Sequence, residues 1–236
     1  MSLAAQINTQ LRGLNLPPPS QPWLQALVSA RDPPPPLPSL VMTAKTRLLA
    51  SDLTTPGLLD PASVPIISLP SGITNPAVEE ARLGRHVYVQ VADIEDLSKS
   101  RWEQVEELEA IERGEQTRGR EVIRLPTNGA DAEEAQDGIA DGPGPRATGP
   151  GGGLGGPAQP GSAQAASNKA THRLVLQDCK VQTVYGLELT RMPRIAIGTL
   201  NIGEKILLRK GTLVARGVVL LEPATCHILG GKVDAW

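Results

Sequence analysis

The sequence predicts a mainly β fold with some α: a small five-stranded barrel preceded by a short helical bundle and interrupted by a long insertion. Three observations predict it. Proline cuts residues 1–76 into helix-length pieces, the hydrophobic period switches from 3.6 to 2 at residue 84, and residues 126–170 lose nearly all large apolar side chains.

The N-terminal pieces are AAQINTQLRG, QPWLQALVSAR stopped by DPPPPLP, and SLVMTAKTRLLASDL stopped by TTPG. In the second, Trp23, Leu27 and Ala30 recur with Ala26 at helical spacing. In the third, Leu40, Ala44 and Leu48 do so, broadened by Val41 and Leu49. Proline ends each piece because it cannot donate the next ladder bond and clashes with the preceding turn. Residues 1–76 are therefore read as a helical bundle with its connector, and 84–236 as the barrel.

In HVYVQVADI, Val87, Val89 and Val91 fall on one side and Tyr88, Gln90 and Ala92 on the other, the alternation of a half-buried strand. The insertion, residues 96–170, follows. Ser100 and Glu103 have the spacing of a capping box, Trp102, Val105, Leu108 and Ile111 form an apolar stripe, and Arg113 with Gly114 supplies a stop, so an acidic amphipathic helix is expected over 101–113. GREVIRL adds a short extended piece. Residues 126–170 are expected to be disordered, since Gly, Pro, Ala, Ser and Asp cannot bury enough surface to offset ordering entropy.

Strands resume over 171–179, 183–190, 205–209 and 212–221, which with 86–94 makes five. Lys210-Gly211 reads as a hairpin turn, and Gly217 as a bend or bulge inside the last strand. This count, with the long connection RMPRIAIGTLNIGE between strands three and four, suits an oligonucleotide/oligosaccharide-binding (OB) barrel, with an SH3-like barrel as the structural rival.

Composition excludes several function classes. A net charge of -2 argues against a chain whose main work is neutralising phosphates. Residues 171–236 carry nine basic and five acidic side chains, yet the strands offer only Tyr88 and Tyr185 as stacking platforms, so protein binding is favoured over single-strand binding. Two cysteines fit neither a disulfide framework nor, with His86, His172 and His227, a zinc site, and the two histidines that open strands read as solvated edges. GGGLGG at Gly151–Gly156 meets the letter of a dinucleotide-binding loop but lacks the flanking strand and helix, and no P-loop occurs. No cofactor and no catalytic constellation is expected. No run approaches the ~20 apolar residues needed to cross a bilayer, so the chain is read as soluble and intracellular.

The C-terminal run NIGEKILLRKGTLVARGVVLLEPATCHILGGKVDAW carries a motif of G-V-x-L-L-x-P, a short spacer and L-G-G-x-V-x-A. Its residues are Gly217, Val218, Leu220, Leu221, Pro223, Leu229, Gly230, Gly231, Val233 and Ala235. The run resembles the OB region of the RecQ-mediated genome instability family, subunit one, of fungal type. TRLLASDLTTPGLLDPASVPIISLP and HVYVQVADIEDLSKSRWEQVEEL extend the resemblance upstream. It implies a three-helix bundle packed on the barrel in a non-catalytic scaffold of a nuclear complex. The implied partners are topoisomerase III and a RecQ helicase, with DNA junctions met only within the complex, where double Holliday junctions are dissolved. The family's insertion contacts the topoisomerase near its DNA gate. Relatives continue into a helix beyond the position of Trp236, so the resemblance reads this as a short or truncated version. On this reading Trp102, Val105 and Leu108, and Lys205 with Arg209 on strand four, are the contact candidates.

Overall fold

The computed structural model describes residues 2–114 and 170–236. The expected extended piece in GREVIRL lies outside them, as does the expected disordered stretch 126–170 but for its last residue.

Three helices form the N-terminal bundle, each started by a local device. In α1 (Leu3–Gly13) the Ser2 hydroxyl accepts from the Ala5 amide, and in α2 (Gln21–Ser29) Ser20 does the same for Trp23, at 3.3 Å in both. α3 (Leu37–Ala50) starts on proline, whose fixed φ suits a first turn and whose missing N–H would be unpaired there anyway. Leu40, Val41, Ala44, Leu48 and Leu49 are buried as expected. In α2 the inward residues are instead Leu24 and Leu27, with Ala26 and Ala30 exposed, so that helix is rotated from its expected stripe. These residues share one core with Ile7, Leu11 and Leu53. A short α4 (Val64–Ile67), not expected, leads to the barrel.

The sheet has eight strands among the described residues, not five. They are β1 (Glu80–Arg82), β2 (Val87–Asp96), β3 (His172–Asp178), β4 (Thr183–Glu188), β5 (Lys205–Leu208), β6 (Leu213–Ala215), β7 (Val218–Leu221) and β8 (Cys226–Gly230), in the spatial order β1-β6-β7-β4-β3-β2-β5-β8. β2, β3 and β4 make an antiparallel meander, β4 pairs in parallel with β7, and β5 lies on the other side of β2. The inner face closes on one core containing Val87, Val89, Val91, Leu174, Leu176, Ile206, Leu208 and Val219.

Two turn expectations are corrected. β5 and β6 do not pair: after Gly211, at φ +94°, Thr212 accepts from Leu83 and delivers the chain to β1, while β5 remains between β2 and β8. The true hairpin is β6–β7, inside the segment expected to be one strand. Arg216 and Gly217, at φ +47° and +80°, form its two-residue loop, the geometry that matches strand twist. Gly217 is thus a turn residue rather than a bulge, and a Cβ there would stand 2.5 Å from the Thr74 carbonyl oxygen.

Candidate partner-binding surface

The face of β2 read from the sequence as solvent-facing is covered by the bundle. Gln90 is fully buried: its Oε1 accepts from the Leu53 amide at 2.9 Å, and its Nε2 donates to Asp52 at 2.6 Å and to Gln177 at 3.1 Å. Burial alone would raise the Asp52 carboxyl, but hydrogen bonds from Gln90 and Thr54 outweigh it and hold the group below its ordinary value. Asp178, also buried, accepts from the Leu69 amide at 2.9 Å and fixes the connector. No periodicity argument could find these links, because they join segments far apart in sequence.

Lys205 belongs to this junction, which corrects its reading as a surface contact. It pairs with Gln90 across β2–β5, is wholly buried, and donates from Nζ to the Gly203 carbonyl at 2.6 Å. Desolvation pushes its ammonium down to about 8, against the attraction of Asp52. Arg209, just beyond β5, is exposed.

Two residues of the C-terminal motif, Leu229 and Gly231, belong to the same junction. Leu229 packs on the helical core, Leu221 and Val233 are buried, and Val218 and Leu220 are half-buried on β7. Gly231, at φ +101°, sits where a Cβ would collide with the Leu49 carbonyl oxygen at the end of α3. Gly230 also has positive φ, whereas Pro223 is exposed beyond β7. Leu229 and Gly231 thus seat the barrel on the bundle, while Leu221 packs in the barrel core and Gly217 serves the β6–β7 turn.

The insertion begins with α5 (Arg101–Glu112), where the expected capping box is present: Ser100 Oγ accepts from the Glu103 amide at 3.2 Å, and the Ser100 amide donates to Glu103 at 2.8 Å. Its attachment to the barrel is polar. Gln104, its one buried residue, accepts from the Asp96 amide at 3.0 Å and donates back to the Asp96 carbonyl at 2.9 Å. Trp102, Val105 and Leu108 are 71%, 45% and 53% exposed. These three face solvent and Ile111 is half-buried, but the stripe steps by three residues and so winds about the helix instead of marking one face, which corrects the expectation of an amphipathic helix.

Beside α5 runs a groove of about 350 Å³ lined by Val105, Gln104, Glu95, Arg173, Val175 and Tyr185. Arg101 meets Glu95 at 3.3 Å, Arg173 meets the same carboxylate, and the Arg173 guanidinium lies 5.0 Å from the Tyr185 ring centroid. Arg209 does not join this surface. It follows Leu208, which pairs with Val87 at the start of β2, whereas α5 follows the end of that strand, roughly 30 Å away at 3.3 Å per residue.

His172 is not the solvated edge expected. Its side chain is enclosed, with Nδ1 3.0 Å from Glu188, and Arg191 bridges the same carboxylate to the Ile195 carbonyl. This cluster ties β3 and β4 to the loop after β4, a structural role. His86 is exposed, its Nδ1 accepting from the Lys210 amide at 3.1 Å. Burial raises the thiols of Cys179 and Cys226 to about 11 and about 12, which keeps them protonated. Among the described residues no group of three or more His, Cys, Asp or Glu could hold a metal ion, and no helix is long and apolar enough to cross a membrane.

Comparison with known proteins agrees with this architecture. A family model described as "RMI1, N-terminal OB-fold domain" matches residues 69–236, and one described as "RMI1, N-terminal helical domain" matches residues 11–56. The chain is also similar to RecQ-mediated genome instability protein 1 of Schizosaccharomyces pombe, at 28% identity over 157 residues, 66% of this chain. It spans 59% of the length of that relative. With the OB-fold match covering more than half its length, and a bundle seated on the barrel as described, the chain belongs to the RMI1 N-terminal family.

Proposed function

We propose that this chain is a non-catalytic scaffold subunit of a nuclear RecQ helicase–topoisomerase III complex, binding the topoisomerase and promoting dissolution of double Holliday junctions. The observation that carries the reading is α5. An ordered, capped helix is held to the barrel by an amide while its apolar stripe is left in water. Such a stripe is stabilised when a partner removes it from solvent. Family membership and the relative's name support a genome-stability role tied to RecQ. The topoisomerase and the junction reaction follow from the family resemblance.

In this scheme the barrel docks the enzyme and the insertion biases its gate. A segment that contacts one gate state more favourably than the other shifts the occupancy of the two. Co-purification of the full chain with topoisomerase III is the direct test. Replacing residues 97–170 by a short Gly/Ser linker closes the same two strands with less loop entropy, and should preserve that association while abolishing any change in strand-passage rate. Absence of co-purification by the full chain sinks the reading.

Tyr185, 50% exposed beneath Arg173, favours a second reading as an independent single-stranded nucleic-acid-binding protein, because this pair could stack a base. Submicromolar binding of an oligonucleotide at physiological salt, lost on Tyr185→Ala, would favour it over the scaffold.

A further inference from the structure

A second concave surface lies at the opposite end of β2 from α5, where the bundle meets the barrel. It is a cleft of about 420 Å³ with Ile66 and Tyr88 in its wall. Ile66 is 59% exposed, and Tyr88 is packed against the helical core. Arg12 from the last turn of α1, Arg85 from the approach to β2 and Lys210 from the turn after β5 line it, with His86 beside them.

The charge of this cleft is one-sided. Arg12, Arg85 and Lys210 are exposed, and among the described residues none of their side chains makes an ion pair or hydrogen bond. No carboxylate among the described residues lines the cleft. The groove beside α5 is different, since Arg101 and Arg173 there both meet Glu95. In a chain of net charge -2, three uncompensated cations brought from three separate segments onto one apolar wall form a local positive field. Its complement carries negative charge and an apolar side chain together.

We propose that this cleft docks an acidic segment of a partner protein. An aliphatic side chain of that segment lies against Ile66 and Tyr88 while its carboxylates meet Arg12, Arg85 and Lys210. A nucleic-acid backbone fits less well: phosphates would satisfy the cations but leave Ile66 against water, and Tyr88 is held by the bundle rather than free to stack. The site uses no residue of α5, so its test does not depend on the gate contact proposed for the insertion.

The test is fluorescence anisotropy of the full chain with a labelled peptide of repeated Asp-Glu-Leu-Leu units. Saturable binding is expected, weakened by about tenfold or more in the Arg85→Glu/Lys210→Glu variant and in an Ile66→Asp variant. It should also weaken when the peptide leucines become serine, and stay unchanged in Trp102→Ala. The substituted side chains are exposed, and an unaltered thermal midpoint confirms that the fold is intact. No saturable binding, or equal binding by the charge-reversed variant, overturns the proposal. A single-stranded oligonucleotide that binds more tightly than the peptide, and loses that binding on charge reversal, overturns it in favour of a nucleic-acid surface.

Discussion

Gln90 and Gln104 perform the same task in two regions that are otherwise opposites. Each is a buried amide whose oxygen accepts from a backbone N–H, Leu53 for the first and Asp96 for the second, and whose nitrogen donates to a nearby oxygen. Around Gln90 the apolar neighbours Leu53, Tyr88 and Leu229 are packed between bundle and barrel. Around Gln104 the apolar neighbours Trp102, Val105 and Leu108 face water. Buried amides specify where an element sits, because leaving them unpaired is costly. Apolar cover stabilises the arrangement. The junction has both. α5 has position without cover, the condition in which a partner can supply the rest.

The largest effect expected from this contrast is at Gly231. Substitution to Ala places a Cβ against the Leu49 carbonyl and forces a non-glycine residue to φ +101°, so a loss of about 3 kcal/mol is expected in urea unfolding. Gly230→Ala shares the backbone strain, at φ +96°, but has open space around the new atom, and should lose about 1 kcal/mol. Equal losses would show that close approach of α3 to the barrel does not matter.

Next comes the pair of amides. Gln90→Leu strands the buried Leu53 N–H and deprives Asp52 of a donor, for an expected cost of about 2 kcal/mol in global stability. Gln104→Leu breaks analogous bonds, but beside a helix that is largely in water. It should release α5 locally, seen as faster amide exchange, with a global cost of about 1 kcal/mol or less. A larger loss at Gln104 than at Gln90 would reverse the comparison.

Lys205 adds a pH dependence confined to the junction. Its folded pKa of about 8 lies below the ordinary 10.5, so the unfolded chain binds more protons between these values. The penalty of holding the ammonium is complete below pH 8, and stability gained from this group rises from pH 8 toward 10.5. Cys179 and Cys226 act oppositely above pH 9, because the native state keeps thiol protons that the unfolded chain loses. Lys205→Met isolates the lysine. Near pH 7 it should change stability by about 1 kcal/mol or less, since an apolar replacement removes a desolvated charge along with its bond to Gly203. Wild type should then gain on the variant as pH rises through 8, and a constant difference would contradict the shift.

Legibility in the sequence follows the same division. α1, α3 and α5 were readable from caps, prolines and periodic aliphatic residues, which are local signals, and the inward face of β2 from its alternating valines. The outward face of β2 was not, because alternation shows that two faces differ but not what covers the second. Lys205 was misread for that reason: a lysine in a strand is ordinarily solvated, and only the bundle behind β5 makes this one buried. β1 and β8 carry little period, because they are three and five residues long and, Cys226 apart, their side chains are exposed or half-exposed. The basic cleft is assembled from three distant segments, and nothing in any one of them marks it.

The smallest stability effect belongs to the α5 stripe, and there the contrast with the junction can be broken outright. Trp102 is exposed and its indole N–H is already engaged by Glu106 within the same helix at 2.7 Å, so Trp102→Ala removes little packing from the folded chain. Leu108→Ser, half in water, removes little more. The double substitution should therefore shift global stability by less than about 0.5 kcal/mol. On the scaffold reading the consequence appears elsewhere: the barrel still co-purifies with topoisomerase III, while the effect on strand passage falls several-fold because the apolar contact that distinguishes the gate states is gone. A loss of 2 kcal/mol or so in the isolated chain would mean that the stripe is covered in solution by the chain itself. Unchanged stability together with unchanged strand passage would mean that the stripe meets no gate, and that α5 must be removed from the mechanism.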